Sequence, residues 1–129
     1  MQAHMQSCAP MEGCGLLAGI DDSVREVFLI ASQLQSPSRF RMDPTEQLRA
    51  FRSMEDRGME LIGIFHSHPA DTRAGSAPAE EPSVTDIREA AYPAVHVIWS
   101  RREGQWSARG FWIENGRISD VPLYITSSE

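Results

Sequence analysis

The sequence contains no lysine; all 12 of its basic residues are arginine, set against 18 acidic ones, for a formal net charge of −6. The missing lysine reads as a genomic composition bias. The shortage of positive charge excludes more. Proteins that grip nucleic acid replace counterions along the phosphates with a basic face. This balance therefore argues against a nucleic-acid partner, and Arg39, Arg41, Arg49, Arg52 and Arg57 form only a local concentration. Cysteine is equally scarce: Cys8 and Cys14 are the two present, too few for a disulfide scaffold. No run of about 18 apolar residues occurs, so no membrane-spanning helix and no membrane partner are expected. The first residues lack the basic start and apolar stretch of a secretory signal, which makes the cytoplasm the expected location.

What is present suits a small globular protein. Hydrophobic residues make up 41% and charged residues 23% of 129 residues, and one domain over residues 1–129 is expected. Residues 1–9 read as one or two helical turns ended by Pro10. Cys14 to Ile20 is apolar and glycine-punctuated, as in a buried strand. Asp21-Asp22-Ser23 forms a turn into a second strand, Val24 to Ala31. After a loop at Gln35-Ser36-Pro37-Ser38 comes a short extended piece, Arg39 to Met42. Asp43 is placed as N-cap and Pro44 at the first helical position of a helix reaching Arg57 and stopping at Gly58. Leu48, Phe51 and Met54 are expected on its buried face. Glu60 to Phe65 is a central strand, apolar nearly throughout.

Residues 70–82 have loop composition, and Ser83 caps a helix expected through Ala91. Ala94–Ser100, Gln105–Ile113 and Arg117–Thr126 read as three strands, with turns at Glu103-Gly104 and Asn115-Gly116. Strands and helices interleave before an antiparallel meander, which predicts an α+β or mixed α/β fold. Oligomeric state is not readable from the sequence.

The chemistry concentrates in three distant segments. In extended chain, residues i and i+2 project to one side, so His66 and His68 of His66-Ser67-His68-Pro69 can face one metal ion while Ser67 points away. A catalytic zinc site takes three nitrogen or carboxylate ligands and leaves a fourth position for water. Asp86, one turn into its helix, suits the third ligand. Glu12, far upstream, is the candidate general base, and Ser83 could donate a hydrogen bond to a developing oxyanion. Each residue also has a plainer explanation. The histidines could be a surface or core pair, Asp86 a helix-start acid favoured by the macrodipole, Ser83 only a cap, and Glu12 a solvated charge. Cys14 reads as a small core residue, and His4 and His96 as structural or surface residues.

Taken together, Glu12 with Cys14-Gly15-Leu16-Leu17-Ala18-Gly19, Ser36 to Pro44, His66-Ser67-His68-Pro69 and Pro82-Ser83-Val84-Thr85-Asp86 resemble the JAMM (MPN+) metalloprotease family, in its short prokaryotic form. The likeness spans nearly the whole chain. It implies a curved mixed β-sheet flanked by helices, with cytidine-deaminase-like architecture. It implies zinc held by His66, His68 and Asp86, Glu12 as general acid/base, and Ser83 stabilising the tetrahedral intermediate. The activity implied is hydrolysis of an amide or isopeptide bond at the Gly-Gly tail of a ubiquitin-like, sulfur-carrier-type protein, by trimming the tail or releasing cysteine. Two other functions stay open: a non-catalytic module binding a ubiquitin-like partner, and a zinc hydrolase of small peptide conjugates. The sequence departs from the family in a longer stretch between Pro69 and Ser83, a short segment before Pro10, and Ser32 where close relatives often carry asparagine.

Overall fold

A computed structural model describes residues 1–8, 12–34, 40–68, 94–102 and 105–124. Six strands form one sheet: β1 (Cys14–Ile20), β2 (Ser23–Ile30), β3 (Glu60–His68), β4 (Ala94–Arg102), β5 (Gln105–Glu114) and β6 (Arg117–Val121). Their spatial order is β2-β1-β3-β4-β5-β6. Only β3 and β4 run parallel, and the other neighbours are antiparallel. Among the described residues two helices, α1 (Gln2–Cys8) and α2 (Pro44–Asp56), accompany the sheet. The α+β, mixed-sheet expectation is met. No helix among the described residues is long and apolar enough to cross a membrane.

The local chemistry accounts for these elements. Asp43 caps α2 by accepting from the Thr45 and Glu46 amides at 2.9 and 3.1 Å. At the other end Gly58 takes a φ of +66°, which costs glycine nothing. The Met59 amide donates to the Met54 carbonyl at 2.8 Å and the Gly58 amide to Glu55 at 3.2 Å, closing a Schellman motif. Asn115 (φ 51°) and Gly116 (φ 76°) make the β5–β6 hairpin turn that the Asn-Gly pair predicts.

Three expectations are corrected. Leu48 is not on the buried face of α2, being 51% exposed, while Ala50 and Met54 are buried and Phe51 is half-buried. At about 100° per residue, Leu48 lies some 160° round the helix from Ala50, so a strict spacing of three drifts off the buried stripe. The central strand continues past Phe65 and contains both histidines. The last strand ends at Val121, with Pro122 and the two residues after it outside the sheet. The helix expected at residues 83–91, the 70–82 loop and the Glu103-Gly104 turn lie outside the described residues.

Alternation along the strands gives the sheet two differently covered faces. On one, Cys14, Leu16 and Ala18 of β1 pack with Ile30, Ile64 and the Ala50–Met54 side of α2. On the other, Leu17, Phe65 and Val97 pack with Met5 of α1. The short α1 is tied down at both edges: His4 Nε2 lies 3.2 Å from the Cys14 carbonyl and Trp106 Nε1 donates to Gln6 Oε1 at 2.8 Å. A carbonyl only accepts, so the proton of neutral His4 sits on Nε2. Burial holds the His4 pKa below its usual value, against the opposing pull of that hydrogen bond.

This packing sets expectations for substitution, thiol reactivity and pH. A methyl group at Gly15 would overlap the Phe65 ring, its cross-strand neighbour, and the Phe28 carbonyl. Gly15→Ala is expected to destabilise the fold by about 1–3 kcal/mol in urea unfolding through overpacking. Leu48→Ala, on exposed surface, should stay within about 0.5 kcal/mol; a larger loss there would contradict the observed helix orientation. Burial, first, and nearby charge push the Cys14 thiol up to about 12. The thiolate is the reactive form, so alkylation of the native protein at pH 8 should modify half-exposed Cys8 well ahead of Cys14. Equal rates would contradict a sealed Cys14. The sign of the pH effect is also fixed. Above the ordinary thiol value of 9.0 only the unfolded chain ionises at this position. Cys14 therefore contributes a loss of stability as pH rises from there.

Candidate metal centre

The pairing of β1 with β3 builds the site. Cys14 lies opposite His66, and the register is unbroken from there to Leu17–Gly63, with the irregularity confined to the far end at Leu17/Ala18. Extending the register one step outward sets Gly13 across from Ser67. The Ser67 amide donates to the Gly13 carbonyl at 3.0 Å and the Gly13 amide donates to Ser67 Oγ at 2.7 Å. One step further puts Glu12 across from His68. Glu12, Cys14, His66 and His68 therefore share the α2 side of the sheet, and Ser67 faces the α1 side.

The side chains converge accordingly. Glu12, His66 and His68 are all buried, at 4%, 0% and 9% exposure. One ligand atom from each lies within 4.8 Å of the others. His66 Nε2 and His68 Nε2 are 3.2 Å apart. Two nitrogens held at about 2.0–2.1 Å by one tetrahedral ion stand about 3.3–3.4 Å apart, so the observed separation fits a shared metal. The donor chemistry fits as well: two imidazoles suit a borderline divalent cation, and the Glu12 carboxylate places negative charge beside it. A buried carboxylate is expensive without donors or a positive charge beside it. The plain reading of Glu12 as a solvated charge is thus overturned.

Ser83 and Asp86 lie outside the described residues, so the convergence concerns Glu12, His66 and His68. Cys14, although on the same face and opposite His66, offers no thiolate. Its Sγ donates to the Ile30 carbonyl at 3.4 Å, and the thiol stays protonated. His96 is buried on β4, its Cα partner on β3 being Ile64, which overturns a surface position for it.

Sequence reasoning assigned no role to Phe40. Its ring stacks on His66 with centroids 4.7 Å apart and planes 27° from parallel. The stack fixes the plane of an imidazole whose outward nitrogen must aim at one point. Backbone bonds flanking the Phe40 segment hold it in place: Gln33 N–H to the Arg41 carbonyl at 2.7 Å and Asp43 N–H to the Ala31 carbonyl at 2.8 Å. Ser32 assists, its Oγ accepting from the Arg41 amide at 3.0 Å and the Leu34 amide at 3.2 Å. Ser32 is thus a hydrogen-bond staple for the loop that carries Phe40. An aromatic residue just before the Met42-Asp43-Pro44 helix entry was the available signal, but nothing in local sequence tied it to His66.

Comparison with known proteins agrees with this geometry. Residues 1–113 match the family described as prokaryotic homologs of the JAB domain. The chain is 34% identical over 122 residues to a desampylase from Pyrococcus furiosus, covering 92% of this chain and 79% of that protein. It is 33% identical over 129 residues to the CysO-cysteine peptidase of Mycobacterium tuberculosis, covering 97% and 84%. The solution structure of protein DSY2949 from Desulfitobacterium hafniense superposes with a TM-score of 0.82 at 33% identity, over 98% of this chain and 86% of that one. The crystal structure of AF2198, a JAB1/MPN domain protein from Archaeoglobus fulgidus, shares the fold with a TM-score of 0.55 at 22% identity, over 97% and 89%. A sheet that brings a buried glutamate to a His-x-His pair, with a match running through 113 of 129 residues, places this chain in the prokaryotic JAB-domain family, to which its JAMM-type motif already pointed.

Proposed function

We propose that this chain, working as one domain, is a zinc metallopeptidase that hydrolyses an amide or isopeptide bond at the C-terminal Gly-Gly tail of a ubiquitin-like, sulfur-carrier-type protein. The observation that carries the reading is the 3.2 Å approach of the His66 and His68 Nε2 atoms, with the Glu12 carboxylate in the same buried cluster. His66 and His68 hold the ion, and Asp86 supplies the third ligand. Bound there, zinc supplies Lewis acidity and brings the pKa of its water to around 7. Glu12 takes a proton onto its carboxylate as the nucleophile attacks, then returns it to the leaving amine. Burial of Glu12 keeps that carboxylate out of bulk solvent, so the proton stays local to the reacting atoms. Ser83 donates a hydrogen bond to the oxygen that gains charge at the carbonyl. Location in the cytoplasm belongs to the same proposal.

The substrate follows from the relatives' names, which include a desampylase, a CysO-cysteine peptidase and a probable TtuB-protein conjugate cleaving protease. A Gly-Gly tail has no side chains to obstruct a narrow cleft and can enter as an extended strand. Remote contacts with the folded carrier would then contribute to transition-state binding.

Two experiments test the proposal. Glu12→Gln should retain zinc while kcat falls by about 10²–10⁴-fold, the usual contribution of general acid–base catalysis. His66→Ala and His68→Ala should lose the metal, and chelation should abolish activity until zinc is restored. A Glu12→Gln protein hydrolysing at the normal rate, or full activity in strong chelator, would contradict the mechanism. For the substrate, mass spectrometry should show loss of a C-terminal cysteine from a carrier ending in Gly-Gly-Cys, with kcat/KM at least about tenfold above that for a free glycyl-cysteine dipeptide. Equal efficiency on the two would favour a small-conjugate hydrolase. Tight carrier binding by a metal-free protein that cleaves neither would favour a binding module.

A further inference from the structure

We propose that Ser67 is a positioning residue for Glu12, an inference that rests on the proposed catalytic role of that glutamate. Strand β1 begins at Cys14, so Glu12 stands two residues beyond the end of the regular ladder. Its link to β3 runs through Gly13, the residue type with the greatest backbone freedom. Two hydrogen bonds remove that freedom, and both go to Ser67: backbone N–H to the Gly13 carbonyl at 3.0 Å, and Gly13 N–H to Oγ at 2.7 Å. The hydroxyl stands in for the ladder acceptor that the strand no longer supplies. Ser67 is fully buried. Behind the bond α1 closes the space, since a Cβ built on Gly13 would meet Met5 Cε at 2.9 Å and Cys8 Sγ at 3.2 Å. Removing Oγ leaves a buried amide without its acceptor, and the segment must shift to satisfy it. Glu12 is the side chain that moves with it. The histidines stay, because β4 pairs with β3 through both positions and β1 pairs with it at His66.

The spacing of the His-x-His segment therefore has a second use. The alternation that aims two imidazoles at the metal aims the intervening hydroxyl at the opposite face, where it sets the base. The test compares Ser67→Ala, which deletes the hydroxyl, with Ser67→Thr, which keeps it on a residue suited to strands. Ser67→Ala should bind one zinc per chain as the parent does. Its kcat should fall about ten- to a hundredfold, the cost of a base displaced by an ångström or so, while KM changes less than about twofold. Hydrogen exchange at the Gly13 amide should accelerate in the same variant, and Ser67→Thr should recover both readouts. A serine that only supports the fold would lower the melting temperature and leave kcat of the zinc-loaded protein untouched; that result overturns the proposal. Crystal structures of the parent and Ser67→Ala decide it independently of turnover. The Glu12 carboxylate should leave the 4.8 Å cluster with the histidines in the variant, and an unmoved carboxylate overturns the assignment. A parent protein that cleaves no carrier refutes the proposed function, whereas the Glu12 position in the two structures still decides the role of Ser67.

Discussion

The antiparallel pairing of β1 with β3 is the constraint from which the rest of this molecule follows. Side chains alternate with period two along a strand, so a slip of one residue in this pairing would turn every side chain to the other face. In the observed register Cys14 meets His66. The same register brings Glu12 to His68 across 56 residues of chain, and it presents both imidazoles and the carboxylate to one side. A slip would move the apolar residues Leu16 and Ile64 off their contact with α2 while scattering the three polar groups. Core packing and site geometry are therefore specified by one pairing. Apolar burial along β1 and β3 thus fixes the register that brings Glu12 beside the two histidines.

The two helices serve the two sides of that pairing. On the site's side, α2 seals Cys14 and Ile64 beneath the histidines. The segment leading into it carries Phe40 onto the His66 ring. On the far side, α1 sets Met5 against Leu17 and Phe65 and is pinned to the Cys14 carbonyl through His4. Close approach is what makes this possible. Gly15 gives up its side chain so that the Phe65 ring can lie across the ladder. Both strand ends that bear the polar groups are thus packed from above and below, which is how a buried constellation is kept from collapsing onto water-filled alternatives.

Much of this was legible in the sequence because it depends on local rules. The Asp43-Pro44 start and Gly58 stop of α2 follow from capping and positive φ. The Asn115-Gly116 hairpin follows from turn chemistry. His66 and His68 could be put on one side from strand alternation alone. What was not legible depends on registers and contacts between distant segments. That Glu12 is buried follows from pairing with a strand more than fifty residues away, so its local surroundings read as a solvated charge. Phe40 stacks on His66 beside Arg41, whose amide Ser32 holds, and no periodicity announces that contact. The Leu48 error has a local cause, since a spacing of three alone does not hold one face of a helix for two turns.

The proposed site is divided between sheet and connection. Among the described residues β3 and β4 are the parallel neighbours, and parallel strands cannot be joined by a tight hairpin. In the proposed function the sheet supplies two ligands and the base, while the connection between β3 and β4 supplies Asp86 and Ser83. The Glu12, His66 and His68 cluster, by contrast, is set by the β1–β3 register, by its extension through Gly13 and Ser67, and by α2 packed beneath it, so its geometry depends on contacts within the sheet and its flanking helices.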